Sequence, residues 1–152
     1  MMEIQTGMST RNFWYRIPDA QEATAKIAVP LVVLFHPDGS NGSRMVNRGG
    51  YLAHSKANHY AIAAPNAVDG KFNIAASDNE VQFIDDMIQT MTADPRVDAD
   101  KIYLIGFSAG ATMALITSIH SKLKFSGIAA VAGQPTKAQK VDLRGGSILD
   151  AN

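Results

Sequence analysis

Apolar residues in this chain gather in short runs, and between the runs they recur at helical spacing. Leu31–Phe35 (LVVLF) is apolar at every position, the pattern of a parallel strand covered on both faces. It ends at His36-Pro37-Asp38-Gly39-Ser40-Asn41-Gly42-Ser43, a dense cluster of turn formers. Tyr60–Ala64 before Pro65, Ile102–Ile105 and Ile128–Ala132 read as three more strands. Phe13–Ile17, aromatic and β-branched and closed by Pro18-Asp19, reads as an edge strand. Ser77-x-x-Glu80 has the form of a capping box. Behind it Val81, Ile84, Ile88 and Met91 keep helical spacing until Asp94-Pro95. Ala109–Ile119 predicts a second helix, with Met113, Ile116 and Ile119 on one stripe. A solvated helix carrying His54 and His59 is expected ahead of the Tyr60 strand. Beyond Gln134 the pattern fades, and Val141–Leu143 and Ser147–Leu149 offer only short strands. Strands alternating with helices argue for the α/β class: a doubly wound, mostly parallel sheet with flanking helices.

Composition narrows what such a domain does. At 152 residues the chain fits a single domain, residues 1–152, large enough to bury a core without disulfides. Fourteen basic residues balance fourteen acidic ones, which argues against the clustered basic face that nucleic-acid binding needs. Zero cysteines exclude disulfides, thiolate metal sites and cysteine nucleophiles together. No run approaches the roughly 18 apolar residues of a membrane span, so no membrane partner is expected. The first thirty residues show no basic segment followed by an apolar one, the mark of a secretory leader. That fits a cytoplasmic chain or one whose leader has been removed.

The candidate chemistry concentrates at Gly106-Phe107-Ser108-Ala109-Gly110. A serine nucleophile on an α/β sheet needs a sharp strand-to-helix turn that lifts its Oγ clear of the backbone. Small residues must flank it, a condition met by Gly106 and Gly110 with Ala109 and Ala111. Composition alone gives about 0.06 chance matches to Gly-x-Ser-x-Gly in a chain like this, so context carries the weight. An apolar strand ends directly before the motif and a helix begins directly after it. The competing reading is a glycine-rich turn of a nucleotide- or flavin-binding domain, although no G-x-G-x-x-G follows a strand. The turn-rich loop after Leu31–Phe35 opens at the same sheet edge, where the backbone amides of Asp38 and Ala109 can pair as an oxyanion hole. It is not a P-loop, since no Gly-Lys-Ser/Thr follows.

On residues 31–43 (LVVLFHPDGSNGS), 60–70 (YAIAAPNAVDG), 79–114 and 125–133 (FSGIAAVAG), the chain resembles the α/β-hydrolase group of poly(3-hydroxybutyrate) depolymerases and feruloyl esterases. Gly7-Met8-Ser9-Thr10-Arg11 before Phe13–Pro18 is similar to that group's opening strand. The resemblance covers about residues 5–135 and is most specific over Val97–Ala114. It implies hydrolysis of carboxylic esters, small or polymeric, through an acyl-enzyme on Ser108. Asp38 and Ala109 would be the oxyanion donors, and no cofactor or metal is implied. Where the group usually has His-Gly in the first loop, this chain has His36-Pro37, and proline has no amide to donate. In α/β-hydrolases the triad runs Ser, then Asp or Glu, then His. Here all four histidines (His36, His54, His59, His120) precede the region expected to hold the base. The chain therefore reads as the N-terminal two-thirds of a hydrolase, with Asp150 in a segment that no histidine follows.

Of the four histidines, His36 is the best placed to act as a base, although a buried loop anchor is the commoner role for such a residue. His120, at a helix C-terminus, suits the macrodipole as a cation. Asp98-x-Asp100 is too short for a calcium loop and reads as a solvated turn. Three function classes remain: a serine esterase, a non-catalytic hydrolase-like module that binds an acyl or aryl ligand, and a nucleotide- or flavin-binding domain. If the sheet ends at Ile128–Ala132, its edge is apolar and lacks charge and proline. Homodimer formation through that edge is then expected.

Overall fold

The computed structural model describes residues 1–19, 28–75 and 77–134. Its strands are β1 (Met2–Thr6), β2 (Ser9–Arg16), β3 (Val29–Phe35), β4 (Ala61–Pro65), β5 (Val97–Phe107) and β6 (Gly127–Val131). Its helices are α1 (Gly42–Arg48), α2 (Tyr51–Asn58), α3 (Ser77–Thr92) and α4 (Ala109–His120), with a 3-10 turn at Val68–Gly70. The sheet order is β1-β2-β4-β3-β5-β6. β4, β3, β5 and β6 run parallel, while β2 joins β4 antiparallel and β1 folds back on β2. This is the mostly parallel α/β sheet that the alternation of strands and helices predicts.

The continuous apolar character of β3 follows from its position. Leu31, Val33 and Phe35 face one layer, packed with Phe83, Ile84, Met87 and Met91 of α3 and Met113 and Ile116 of α4. Val32 and Leu34 face the other layer, with Val46 and Met45 of α1 and Tyr51 and Leu52 of α2. A strand buried on both faces has no position at which a polar residue meets water. In α3 the stripe of Val81, Ile84, Ile88 and Met91 is buried as its spacing predicts.

Three local expectations are corrected. Phe13–Ile17 is not at an edge: β2 lies between β1 and β4, and Phe13 is fully buried. The edge is β1, reached through a two-residue turn in which Gly7 takes φ +55°. Ser77 and Glu80 do not form a reciprocal box, because Glu80 is used elsewhere. Its Oε2 lies 3.0 Å from Arg11 Nη2, and its Oε1 accepts the Asn73 amide at 3.4 Å. The Arg11 guanidinium also lies 4.2 Å over the ring of Phe83. Removing one partner of such a buried pair leaves an uncompensated charge, at a cost of about 3–5 kcal/mol. Finally, the turn-rich segment after β3 continues into α1, capped by Asn41 Oδ1 on the Arg44 amide at 2.9 Å. The reading Asp98-x-Asp100 as a turn corresponds to an excursion of β5, where Leu31 pairs with Ile102 although Val29 pairs with Val97. Val141–Leu143, Ser147–Leu149 and Asp150 lie outside the described residues.

Candidate active site

Ser108 stands at the junction of β5 and α4, with φ 55° and ψ −122°. Its amide still belongs to the sheet, donating to Val131 O of β6 at 2.9 Å. Its carbonyl already belongs to the helix, accepting from Ala111 N at 3.0 Å and Thr112 N at 3.3 Å. The reversal between these roles takes place within one residue, and the left-handed φ is the geometric result. A non-glycine residue held there carries about 1–3 kcal/mol of strain. Close approach explains the preceding glycine: a Cβ on Gly106 would stand 2.3 Å from Gly110 O. Ser108 is half-buried, and its Oγ makes no hydrogen bond to any described residue.

The loop after β3 lies at the same end of the sheet, since the first turn of α4 packs on the carbonyls of Phe35 and His36. Asp38 is exposed in a turn closed by Ser40 N–H to Pro37 O at 3.2 Å. Its amide has no acceptor among the described residues. The same holds for the amide of Ala109, first in its helix, as helix geometry requires.

The loop is held from the strand beside it. Gly39 N–H donates to Gly70 O at 2.9 Å, and Gly42 N–H donates to Asn66 Oδ1 at 2.7 Å. Asn66 is tied in turn to β2, through its amide to Asn12 O at 3.1 Å and its side chain to Asn12 Oδ1. Sequence reasoning passed over Asn66. Its position directly after a buried strand and Pro65, at the edge where sites gather, is the signal that could have found it.

His36 completes this scaffold and is corrected as a base. It is fully buried, and its ring lies 4.8 Å from that of Phe72. Nδ1 lies 2.8 Å from Pro37 O, and Nε2 accepts the Ala67 amide at 3.2 Å. Those contacts assign the neutral Nδ1–H tautomer and leave no lone pair for a serine proton. Burial lowers its pKa below the ordinary value of 6.5. The other histidines lie elsewhere in the fold. His54 on α2 lies 3.1 Å from Tyr60 Oη. His59 caps α2 in the left-handed region at φ 53°. His120 is at the far end of α4, about 18 Å of helix away from Ser108. Among the described residues, no group of three His, Cys, Asp or Glu side chains comes together as metal ligands would.

Known proteins are similar to this chain in sequence and fold. NocK of Nocardia uniformis subsp. tsuyamanensis, a protein named as an esterase, is 31% identical over 113 residues, covering 69% of this chain and 33% of that protein. Poly(3-hydroxyalkanoate) depolymerase C of Paucimonas lemoignei is 26% identical over 132 residues, covering 80% and 31%. The crystal structure of a phospholipase/carboxylesterase from Dyadobacter fermentans superposes with a TM-score of 0.62 at 24% identity, over 82% of this chain and 61% of that one. The chain thus spans about a third of the length of the curated relatives it matches. The phospholipase/carboxylesterase family profile matches residues 63–144, more than half of the chain. That span includes the end of β4, α3, β5, Ser108, α4 and β6, and by it the chain belongs to the phospholipase/carboxylesterase family of α/β-hydrolases.

Proposed function

We propose that this chain carries the nucleophile and oxyanion-hole portion of a serine hydrolase for carboxylic esters. The observation that carries the reading is the backbone of Ser108, held at positive φ between a sheet amide and a helix carbonyl. That turn is the elbow on which α/β-hydrolases present a nucleophile. In this reaction Ser108 Oγ attacks the ester carbonyl and loses its proton to a general base, giving a tetrahedral oxyanion. The amides of Asp38 and Ala109 stabilise that charge. Collapse expels the alcohol, which takes a proton, and leaves the acyl group on Ser108; water then releases the acid. Hydroxyalkanoate and feruloyl esters are the substrate classes favoured by the resemblance of residues 5–135, together with the depolymerase relative. The base and its acid partner are contributed from outside the described residues.

One observation favours a second reading, a non-catalytic module: Ser108 Oγ has no histidine partner among the described residues. A p-nitrophenyl acetate assay of the 152-residue chain beside Ser108→Ala separates the two. A triad enzyme without its base keeps roughly 10³–10⁴-fold catalysis over water from the oxyanion hole and binding. A slow hydrolysis that Ser108→Ala reduces supports the serine mechanism. Equal rates would leave the module.

A further inference from the structure

A groove of about 380 Å³ runs from α1 to the ends of β5 and β6. Met45, Tyr51, Phe107 and Val131 give it apolar walls, and the exposed Arg44 and Arg48 also line it. Two of its lining residues adjoin Ser108: Phe107 precedes it in the chain, and Val131 accepts the Ser108 amide. Pro37 and Ser40, at either end of the turn containing Asp38, also line it. An acyl chain whose ester carbonyl sits at Ser108 therefore has an apolar channel leading away from the reacting carbon.

The two arginines do not behave as ordinary surface charges. They lie one helical turn apart, where like charges repel. Both are exposed, and neither guanidinium meets a carboxylate or any other hydrogen-bond acceptor among the described residues. In a chain with fourteen acidic and fourteen basic residues, this is a local cationic excess at the end of an apolar channel. A guanidinium presents a planar fork of donors matched to a carboxylate. The geometry points to Arg44 and Arg48 as specificity determinants for esters whose apolar chain ends in a carboxylate, such as half-esters of dicarboxylic acids or the free acid end of an oligoester. This assignment rests on the esterase reading for what happens at Ser108, but the anion recognition stands on binding alone.

The test uses two amides of equal length that are not esters: the N-methyl monoamide of hexanedioic acid, which is anionic, and N-methylhexanamide, which is neutral. Isothermal titration of each into the Ser108→Ala chain at low salt is expected to show about tenfold tighter binding of the anion. Added salt should shrink that advantage, since both arginines face solvent. Arg44→Gln with Arg48→Gln should erase it, and the paired lysine variants should keep part of it. Equal binding of the two amides, no binding of either, or an anion preference that survives in the glutamine pair overturns the assignment. If the preference holds while hydrolysis by the native chain does not depend on Ser108, the anion site stands and the esterase reading falls.

Discussion

The carbonyl oxygen of Phe35 lies 2.3 Å from where a Cβ on Gly110 would stand, so the start of α4 rests on the end of β3 with no room for a side chain. This contact joins the loop bearing Asp38 to the helix behind Ser108. It also makes Gly110 a steric requirement, since the obstacle is backbone. Gly110→Ala is expected to destabilise the fold by about 3 kcal/mol or more, the upper range for overpacking. Gly7→Ala is the control, because nothing lies within 4 Å of its Cβ and only the φ of +55° is unfavourable. Its cost should stay near 1–2 kcal/mol, as for any residue driven into the left-handed region. Urea unfolding of the two variants gives the comparison, and equal losses would contradict it.

Ser108 holds a backbone conformation that glycine adopts without penalty. Ser108→Gly is therefore expected to raise stability by about 1 kcal/mol or more while removing serine-dependent hydrolysis. Ser108→Ala keeps the strain and should leave stability close to that of the native chain. Thermal melts of the three proteins measure the difference. A Ser108→Gly chain less stable than Ser108→Ala would mean that the φ of 55° stores no strain.

The buried imidazole of His36 ties stability to pH. Burial lowers its pKa in the folded chain below 6.5, so the unfolded chain takes up the proton first as pH falls. Its contribution is fully present above about pH 6.5 and is lost as pH drops through the window down to the lower folded value. A protonated Nε2 also cannot accept the Ala67 amide. Urea midpoints measured between pH 7.5 and pH 5 (a range set around the ordinary histidine value of about 6.5) should fall, and His36→Gln should flatten that slope. An unchanged slope in the variant would assign the loss to other groups.

β6 is the last strand of the sheet among the described residues, and Ile128 and Val131 on it are 40% and 53% exposed. Nothing in Gly127–Val131 protects that edge, which carries neither charge nor proline. Because the Val131 carbonyl faces Ser108, alternation along the strand turns the Ala130 amide outward. Sedimentation over a concentration series is expected to show self-association, reduced by Ala130→Pro with no loss of helical signal. A chain that stays monomeric into the high micromolar range, before any substitution, would mean that the edge is covered.

The sequence by itself determined most of the elements and the position of the turn at Ser108, although not β1 or α1. β3, β4, β5, α3, α4 and β6 are legible because burial on one or two faces writes a period into neighbouring residues, and those periods are local. Gly106 and Gly110 are legible for the same reason: a tight strand-to-helix turn restricts residues only two positions apart. Tertiary structure decided which element lies beside which, and that choice depends on partners far along the chain. Phe13–Ile17 carries the pattern of a strand, but β1 and β4 on either side of it make it interior. Glu80 fits a capping box until Arg11, 69 residues away, takes its carboxylate. His36 stands where a base is wanted, yet the Ala67 amide reaches it first. Arg44 and Arg48 are an unremarkable pair in the sequence, and only the folded chain sets them along one groove with Phe107 and Val131, the neighbours of Ser108. Local spacing encodes conformation, whereas pairing of charges and hydrogen bonds is settled by what the folded chain brings within reach.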